Sequence, residues 1–285
     1  MEYTNPHALT STDWLGARLT DPGVVVVDAT SHLPTTGRDA DTEFAEKHIP
    51  GAIRFNIDDI ADPHATLAHM LPDAALFAAK VGALGISNLH HVVVYDTYGL
   101  QSAARVWWML RVFGHGNVSL LNGGLPKWEA EQRPLEAEVQ RRDSARFVAT
   151  FRPELVRNAD ELLGNINTRA WQVADARDVG RFTGAAAEPR AGMRSGHIPG
   201  SRSLPFPELL TAQRTLQSAA ELDAAFKTSG IDLSAPLVTT CGSGATACIL
   251  ALSGYLLGAS EIAVYDGSWS EWGGRDDTPL DTGAA

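Results

Sequence analysis

The chain has 285 residues, 44% hydrophobic and 20% charged, with a formal net charge of −11. Such a composition suits a globular chain with enough apolar surface for one large core or two medium ones. The acidic balance argues against general nucleic-acid or anionic-membrane binding, and any anionic substrate needs a local positive pocket. No apolar run approaches the ~18 residues of a membrane span. The N-terminal stretch "MEYTNPHALTSTDWL" matches neither a secretory signal nor an Arg-rich transit peptide. Two cysteines make no disulfide framework. The expectation is a cytoplasmic protein in a reducing setting, monomeric or weakly dimeric, with no nucleic-acid or membrane partner.

In chain order, the first expected strand is "GVVVVDA" at 23–29. It is apolar, β-branched and non-alternating, the mark of a strand covered on both faces. A helix follows at 73–85, then a strand at 91–96, a helix at 102–114 and a strand at 117–124. The charged stretch "RPLEAEVQRRDSAR" at 133–146 reads as a connector. Beyond it come strands at 171–177, 236–242 and 261–268, with helices at 218–230 and 245–258 between them. Each of the four helical patterns ends on glycine, a common helix terminator. Strands alternating with helices predict an α/β fold, with mostly parallel sheets flanked by helices.

The pattern also repeats. "VVVVDAT" returns as "WQVADAR", "EKHIPGAIRFN" as "SGHIPGSRSLP", and "LLNGGLPKW" as "VYDGSWSEW". The shift is nearly constant, at about 145 residues, which marks an internal duplication. Two tandem domains of ordinary size are expected, residues 1–136 and 154–285, joined by a linker at 137–153. Under the same shift "HVVVYDTYGLQSAARVWWML" overlies "APLVTTCGSGATACILALSG", and Asp96 corresponds to Cys241. The fold therefore does not itself demand a cysteine at that strand end.

Cys241 lies where an expected strand turns into a helix, the end of an α/β sheet at which ligands bind. A glycine-rich loop there presents backbone N–H groups toward one point, and the helix N-terminus adds its dipole. Both favour a thiolate. The competing reading is a small buried hydrophobe, a common fate of free cysteine. Metal ligation is disfavoured, because Cys248 would lie about 10 Å away along a helix axis and no CxxC or Cys/His cluster accompanies it. Cys248 is expected in the core. Asp28 and Asp175 recur in both copies, as do His48 and His197, so structural roles are expected for them. Trp107, Trp108, Trp269 and Trp272 are expected to pack.

Three stretches, "CGSGATA", "GRFTGAAAEPRAGMRSGHIPG" and "YDGSWSEW", together resemble the two-domain rhodanese superfamily, and in particular its mercaptopyruvate-using branch. The likeness spans nearly the whole chain, including a first copy that lacks the nucleophile. It implies a sulfurtransferase without cofactor or metal. Cys241 would take sulfane sulfur from 3-mercaptopyruvate, hold it as a persulfide, and pass it to a thiol such as thioredoxin's or to cyanide, releasing pyruvate. The loop amides of Gly242, Gly244, Ala245, Thr246 and Ala247 would stabilise the persulfide anion. Arg181 and Arg190 would hold the 2-oxo acid, since guanidinium donors match a carboxylate and its neighbouring keto oxygen. Ser243, His69 and Asp58 would form a relay that serves the leaving group.

Two neighbouring activities are weighed against this. Thiosulfate-using relatives resemble the chain but carry basic residues just after the cysteine, where this chain has Gly242 and Ser243. Phosphatases on this fold close their phosphate loop with an arginine at the position Ala247 occupies, so phosphatase chemistry is not expected. A persulfide carrier that does not turn over is the non-enzymatic alternative.

Overall fold

The structure, a computed structural model, describes residues 1–284. In the first half β1 (Leu9–Thr10), β2 (Val24–Asp28), β3 (Ile53–Arg54), β4 (His91–Tyr95) and β5 (Val118–Leu121) form one parallel sheet in the order β1-β5-β4-β2-β3. In the second half β6 (Val156–Arg157), β7 (Gln172–Asp175), β8 (Arg202–Ser203), β9 (Leu237–Thr240) and β10 (Ile262–Tyr265) form another, in the order β6-β10-β9-β7-β8. The two orders are one order repeated, which is the duplication seen in space.

The central strands are those the pattern finds. All five residues of β2 and all four of β5 and β9 are buried, as strands flanked by helices on both faces must be. The edge strands β1, β3, β6 and β8 are two residues each, too short for any periodicity to register. Only pairing with a neighbour defines them.

The helices are α1 (Thr12–Gly16), α2 (Ala40–Glu46), α3 (Ala74–Ala83), α4 (Gln101–Val112), α5 (Gly124–Ala130), α6 (Ala159–Thr168), α7 (Val179–Thr183), α8 (Ala219–Thr228), α9 (Ala247–Leu256) and α10 (Ser268–Trp272). Their starts follow capping chemistry. Asp73 accepts the Leu76 amide at 2.8 Å before α3, and Ser218 and Glu221 form a reciprocal capping box before α8.

Two helices join the halves. Every residue of α4 from Ser102 to Leu110 is buried, and α9 is buried from Ala247 to Gly254. Each packs on its own sheet and on the other helix, so one apolar core runs from Val25 through Trp107 and Trp108 to Ile249 and Leu252. This continuity explains why α4 is buried on nearly every side rather than on one stripe. Residues 137–152 carry no helix or strand, yet they are tied down. The Ala145 amide donates to Gly82 O at 2.8 Å and the Thr150 amide to Phe113 O at 2.9 Å, while Phe147 packs edge-on against Phe77.

Candidate active site

Cys241 follows β9 and is 2% exposed, at the mouth of a loop that leads into α9. The loop's carbonyls are pinned one after another. Cys241 O accepts the Trp269 amide at 2.9 Å, and Gly242 O accepts both the amide and the hydroxyl of Ser270, at 2.8 and 2.7 Å. Gly244 O accepts Arg105 Nη1 and the Cys248 thiol, each at 3.2 Å. In a trans peptide the N–H points opposite to the C=O. The amides of Gly242, Ser243 and Ala245 are thereby turned to the other side, where these residues line a cavity together with Cys241. Among the described residues, no group accepts a hydrogen bond from the amides of Gly242, Ser243, Gly244, Ala245, Thr246 or Ala247. Such a row of convergent, unspent donors is an anion cradle.

Two positions in this loop need their backbone freedom. Gly244 has φ +76°, and a Cβ there would lie 2.6 Å from Asp266 O and 2.9 Å from Arg105 Nη1. Ser268, at the start of α10, is a non-glycine residue at φ +48°. Its hydroxyl donates to Tyr265 O at 2.8 Å and accepts the Cys241 amide at 3.2 Å, bonds that offset the left-handed backbone and hold the peptide of Cys241.

The corresponding loop of the first half contains its own anion. Asp96, fully buried, accepts the amides of Tyr98, Gly99 and Ala103 at 2.8, 2.7 and 2.8 Å. Burial pushes its carboxyl up against the pull of those three bonds.

The cavity beside Cys241 has a volume of about 450 Å³ and is walled by both halves, with Asp58 and His69 on one side and Arg181, Arg190 and Ser243 on the other. His69 Nδ1 lies 2.6 Å from Asp58 Oδ1. That contact, followed by the charges of His69 and Arg190, holds the Asp58 carboxyl below the usual carboxylate range despite partial burial. His69 itself adopts φ +64°, uncommon for a residue with a side chain. Ser243 shares the cavity with the imidazole, but its hydroxyl forms no bond to it within 3.5 Å. Of the three residues expected by resemblance to form a relay, His69 and Asp58 are in contact, and Ser243 lines the same cavity.

The two expected arginines differ. Arg181 is committed: its Nε and Nη2 contact Glu188 Oε2 at 3.1 and 2.5 Å. Glu188 also accepts Arg177 Nη1 at 2.7 Å, and Arg177 in turn grips Asp175 and lies over the Trp269 ring. Among the described residues, Arg190 has one hydrogen-bond partner, Ser270 Oγ at 3.5 Å, and no carboxylate within ion-pair distance. It is the cavity's surplus positive charge. Arg181 has a second effect, since a Cβ on Gly242 would lie 2.9 Å from its Nη2. A long basic side chain after the cysteine would have to displace this guanidinium.

The residues given structural roles take them. His48 and His197 each stack on a phenylalanine, Phe44 and Phe182, and bond the same residue's carbonyl through Nδ1 at 2.6 and 2.8 Å. Asp28 orders the turn at Thr30, while Asp175 does so at Arg177. Cys248 is fully buried, and burial drives its thiol pKa far up. No group of metal-ligating side chains forms among the described residues. Arg105, Asp266, Glu188, Ser268 and Ser270 escape a sequence reading. The serines sit inside "YDGSWSEW", where the tryptophans draw the eye. Arg105 is foreshadowed by the repeat, because the same position in the second copy is the apolar Leu250.

A family model described as a rhodanese-like domain matches residues 11–131 and again 158–275. A 3-mercaptopyruvate sulfurtransferase of Mus musculus is 46% identical over 271 residues, covering 93% of this chain and 91% of its own. A thiosulfate sulfurtransferase of Cricetulus griseus is 46% identical over 272 residues with the same two coverages. Among solved structures, a 3-mercaptopyruvate sulfotransferase from Escherichia coli superposes with a TM-score of 0.85 at 36% identity, over 92% of this chain and 98% of that one. Identity does not separate the two donor names, so the choice between them falls to the cavity.

Proposed function

The chain belongs to the rhodanese family in its two-domain form, and on that premise we propose that it transfers sulfur from 3-mercaptopyruvate through a persulfide on Cys241. The Cys241 thiolate attacks the donor's thiol sulfur. The carbon–sulfur bond breaks, and its electron pair goes to the methylene carbon as the enolate of pyruvate. The donor's thiol proton is delivered to that carbon by way of Ser243 and His69, whose ring Asp58 orients. Cys241 is left as a persulfide anion, pyruvate departs, and an acceptor thiolate such as thioredoxin's, or cyanide, removes the outer sulfur and restores the thiolate.

The observation that carries this reading is the cradle of unbonded amides around Cys241, set beside an unpaired Arg190. The amides suit the persulfide anion and Arg190 suits the carboxylate of a 2-oxo acid. Gly242, crowded by Arg181, and Ser243 supply no positive charge of their own for a dianionic donor. Thiosulfate is the second reading, favoured by the equally similar thiosulfate sulfurtransferases. The His69–Asp58 pair favours turnover over mere carriage of sulfur. Both cysteines are free, which supports a reducing, cytoplasmic setting.

Mass spectrometry of Cys241 after each donor, followed by reduced thioredoxin, tests nucleophile, donor and acceptor together. The expected result is an added sulfur on Cys241 from mercaptopyruvate that thioredoxin removes. A preference for thiosulfate of about tenfold or more in kcat/KM, some 1.4 kcal/mol at the transition state, overturns the donor.

A further inference from the structure

We propose that Arg105 and Asp266 form a clamp across the two halves that positions the His69 segment and the persulfide cradle against each other. Arg105 stands on α4 of the first half and is 0% exposed. Asp266 follows β10 of the second half. Arg105 Nη2 donates to Asp266 Oδ1 at 2.6 Å and also to the carbonyl of His69. Arg105 Nη1 donates to Gly244 O. The other oxygen of the same carboxylate, Asp266 Oδ2, accepts the Leu71 amide at 2.9 Å.

The ion pair therefore grips the His69–Leu71 segment at both ends, the carbonyl of residue 69 through Arg105 and the amide of residue 71 through Asp266. With its remaining arm Arg105 fixes the peptide that aims the Ala245 amide into the cavity. Two features say that this arrangement is maintained for more than packing. Burying a guanidinium costs several kcal/mol before its partners repay it, and the same position in the second copy is Leu250, which packs without that cost. His69 is held in a left-handed backbone conformation that ordinary loops avoid, with the clamp bonded to its carbonyl. A guanidinium is the side chain that can bridge three acceptors in one plane, which lysine cannot do. Arg105 and Asp266 touch no substrate in this scheme; they are positioning residues acting through His69 and the loop.

The inference rests on the proposed role of His69, and it has a donor-selective signature. Expelling the pyruvate enolate needs a proton, whereas expelling sulfite from thiosulfate does not. Loss of the clamp's hold on His69 should then slow mercaptopyruvate turnover more than thiosulfate turnover. The test compares wild type, Arg105→Lys, and the paired variant Arg105→Met/Asp266→Leu, with His69→Ala as the reference. The paired variant removes both charges together, a change that buried ion pairs often tolerate without loss of stability, so a folded protein is available even where the single variant fails.

His69→Ala should lower kcat with mercaptopyruvate by about 100-fold and with thiosulfate by under about threefold. The clamp variants should lower kcat with mercaptopyruvate by at least about tenfold more than with thiosulfate: a loosened Gly244 peptide slows both donors alike, and the lost hold on His69 adds the difference. If the clamp variants slow both donors equally, or neither, while His69→Ala remains donor-selective, the clamp proposal is overturned. If His69→Ala itself shows no donor selectivity, the relay reading fails, and with it the premise of the clamp.

Discussion

The loop after β4 and the loop after β9 occupy equivalent places in the two halves. Each turns a buried strand into a buried helix, and in each the carbonyl of the residue after the strand accepts an amide from the start of a later short helix, Leu125 in one and Trp269 in the other. At that helix start the left-handed residue is Gly124 in the first half and Ser268 in the second. The difference lies in what fills the cradle. In the first half the Asp96 carboxylate takes three amides for itself, and Asp96 does not line the cavity of about 310 Å³ that opens beside Thr97. In the second half the aspartate is replaced by a cysteine, and the equivalent amides of Ser243 and Gly244 are left without acceptors. The comparison teaches that the anion cradle belongs to the fold, and that the amides are free for another anion only where the resident carboxylate is absent. A persulfide anion on Cys241 would be a transient counterpart of the Asp96 side chain.

Cys241→Asp puts the comparison at most risk, because it rebuilds the first loop inside the second. The protein should fold, melt no lower than wild type, and lose sulfur transfer by at least about 10⁴-fold, as nucleophile removal does elsewhere. Residual activity above that level, or marked destabilisation, would break the equivalence of the two loops. The reverse change, Asp96→Cys, should cost about 2–4 kcal/mol in urea denaturation, given roughly 1.5–3 kcal/mol for each bond to a charged group and some relaxation. It should also acquire no persulfide from mercaptopyruvate, because the arginine lining the adjoining cavity, Arg38, is already paired with Glu43. A persulfide on the new cysteine would show that the amides alone make a site.

Arg190→Gly removes the cavity's surplus charge. KM for mercaptopyruvate should rise by about 10- to 100-fold, the worth of one charge-assisted bond to a carboxylate, with a smaller rise for thiosulfate; equal rises would mean that Arg190 does not hold the 2-oxo acid. The smallest effect expected concerns pH. The His69 contact lowers the Asp58 carboxyl pKa in the folded state, so the stability it contributes is present above the unfolded value near 3.8 and fades as pH falls through the folded value. The stability gap between wild type and His69→Ala should therefore close as pH falls below about 5. Asp58 is 59% exposed, so solvent screening keeps the gap small. A gap that widens on acidification would contradict the pairing.

How much of this was legible depended on the length over which a signal accumulates. Short runs of apolar and β-branched residues declare a buried strand, as the four valines of β2 and the three of β4 do, and β2, β4 and β9 are read to within a residue or two. The two-residue edges β1, β3, β6 and β8 leave no pattern, since they exist only as partners of a neighbour. Arg181 was legible as a cation by resemblance, but its neutralisation by Glu188 was not, because helix periodicity does not say which of several nearby acids a guanidinium will meet. Asp58 and His69 were found as a pair by resemblance alone; nothing in their local sequence would have joined them.

By itself, the sequence determined the duplication, the α/β class and the substitution of Cys241 for an aspartate, because each is written in residues close in the chain or repeated at a constant shift. Only the tertiary structure decided which way the loop's amides face, which cavity arginine is left without a carboxylate, and that Arg105 of one half holds the Cys241 loop of the other. Those are matters of direction and of partners more than a hundred residues apart, and no local propensity encodes them. They arise when two copies of one fold pack α4 against α9 and bring the ends of their loops to a shared cavity.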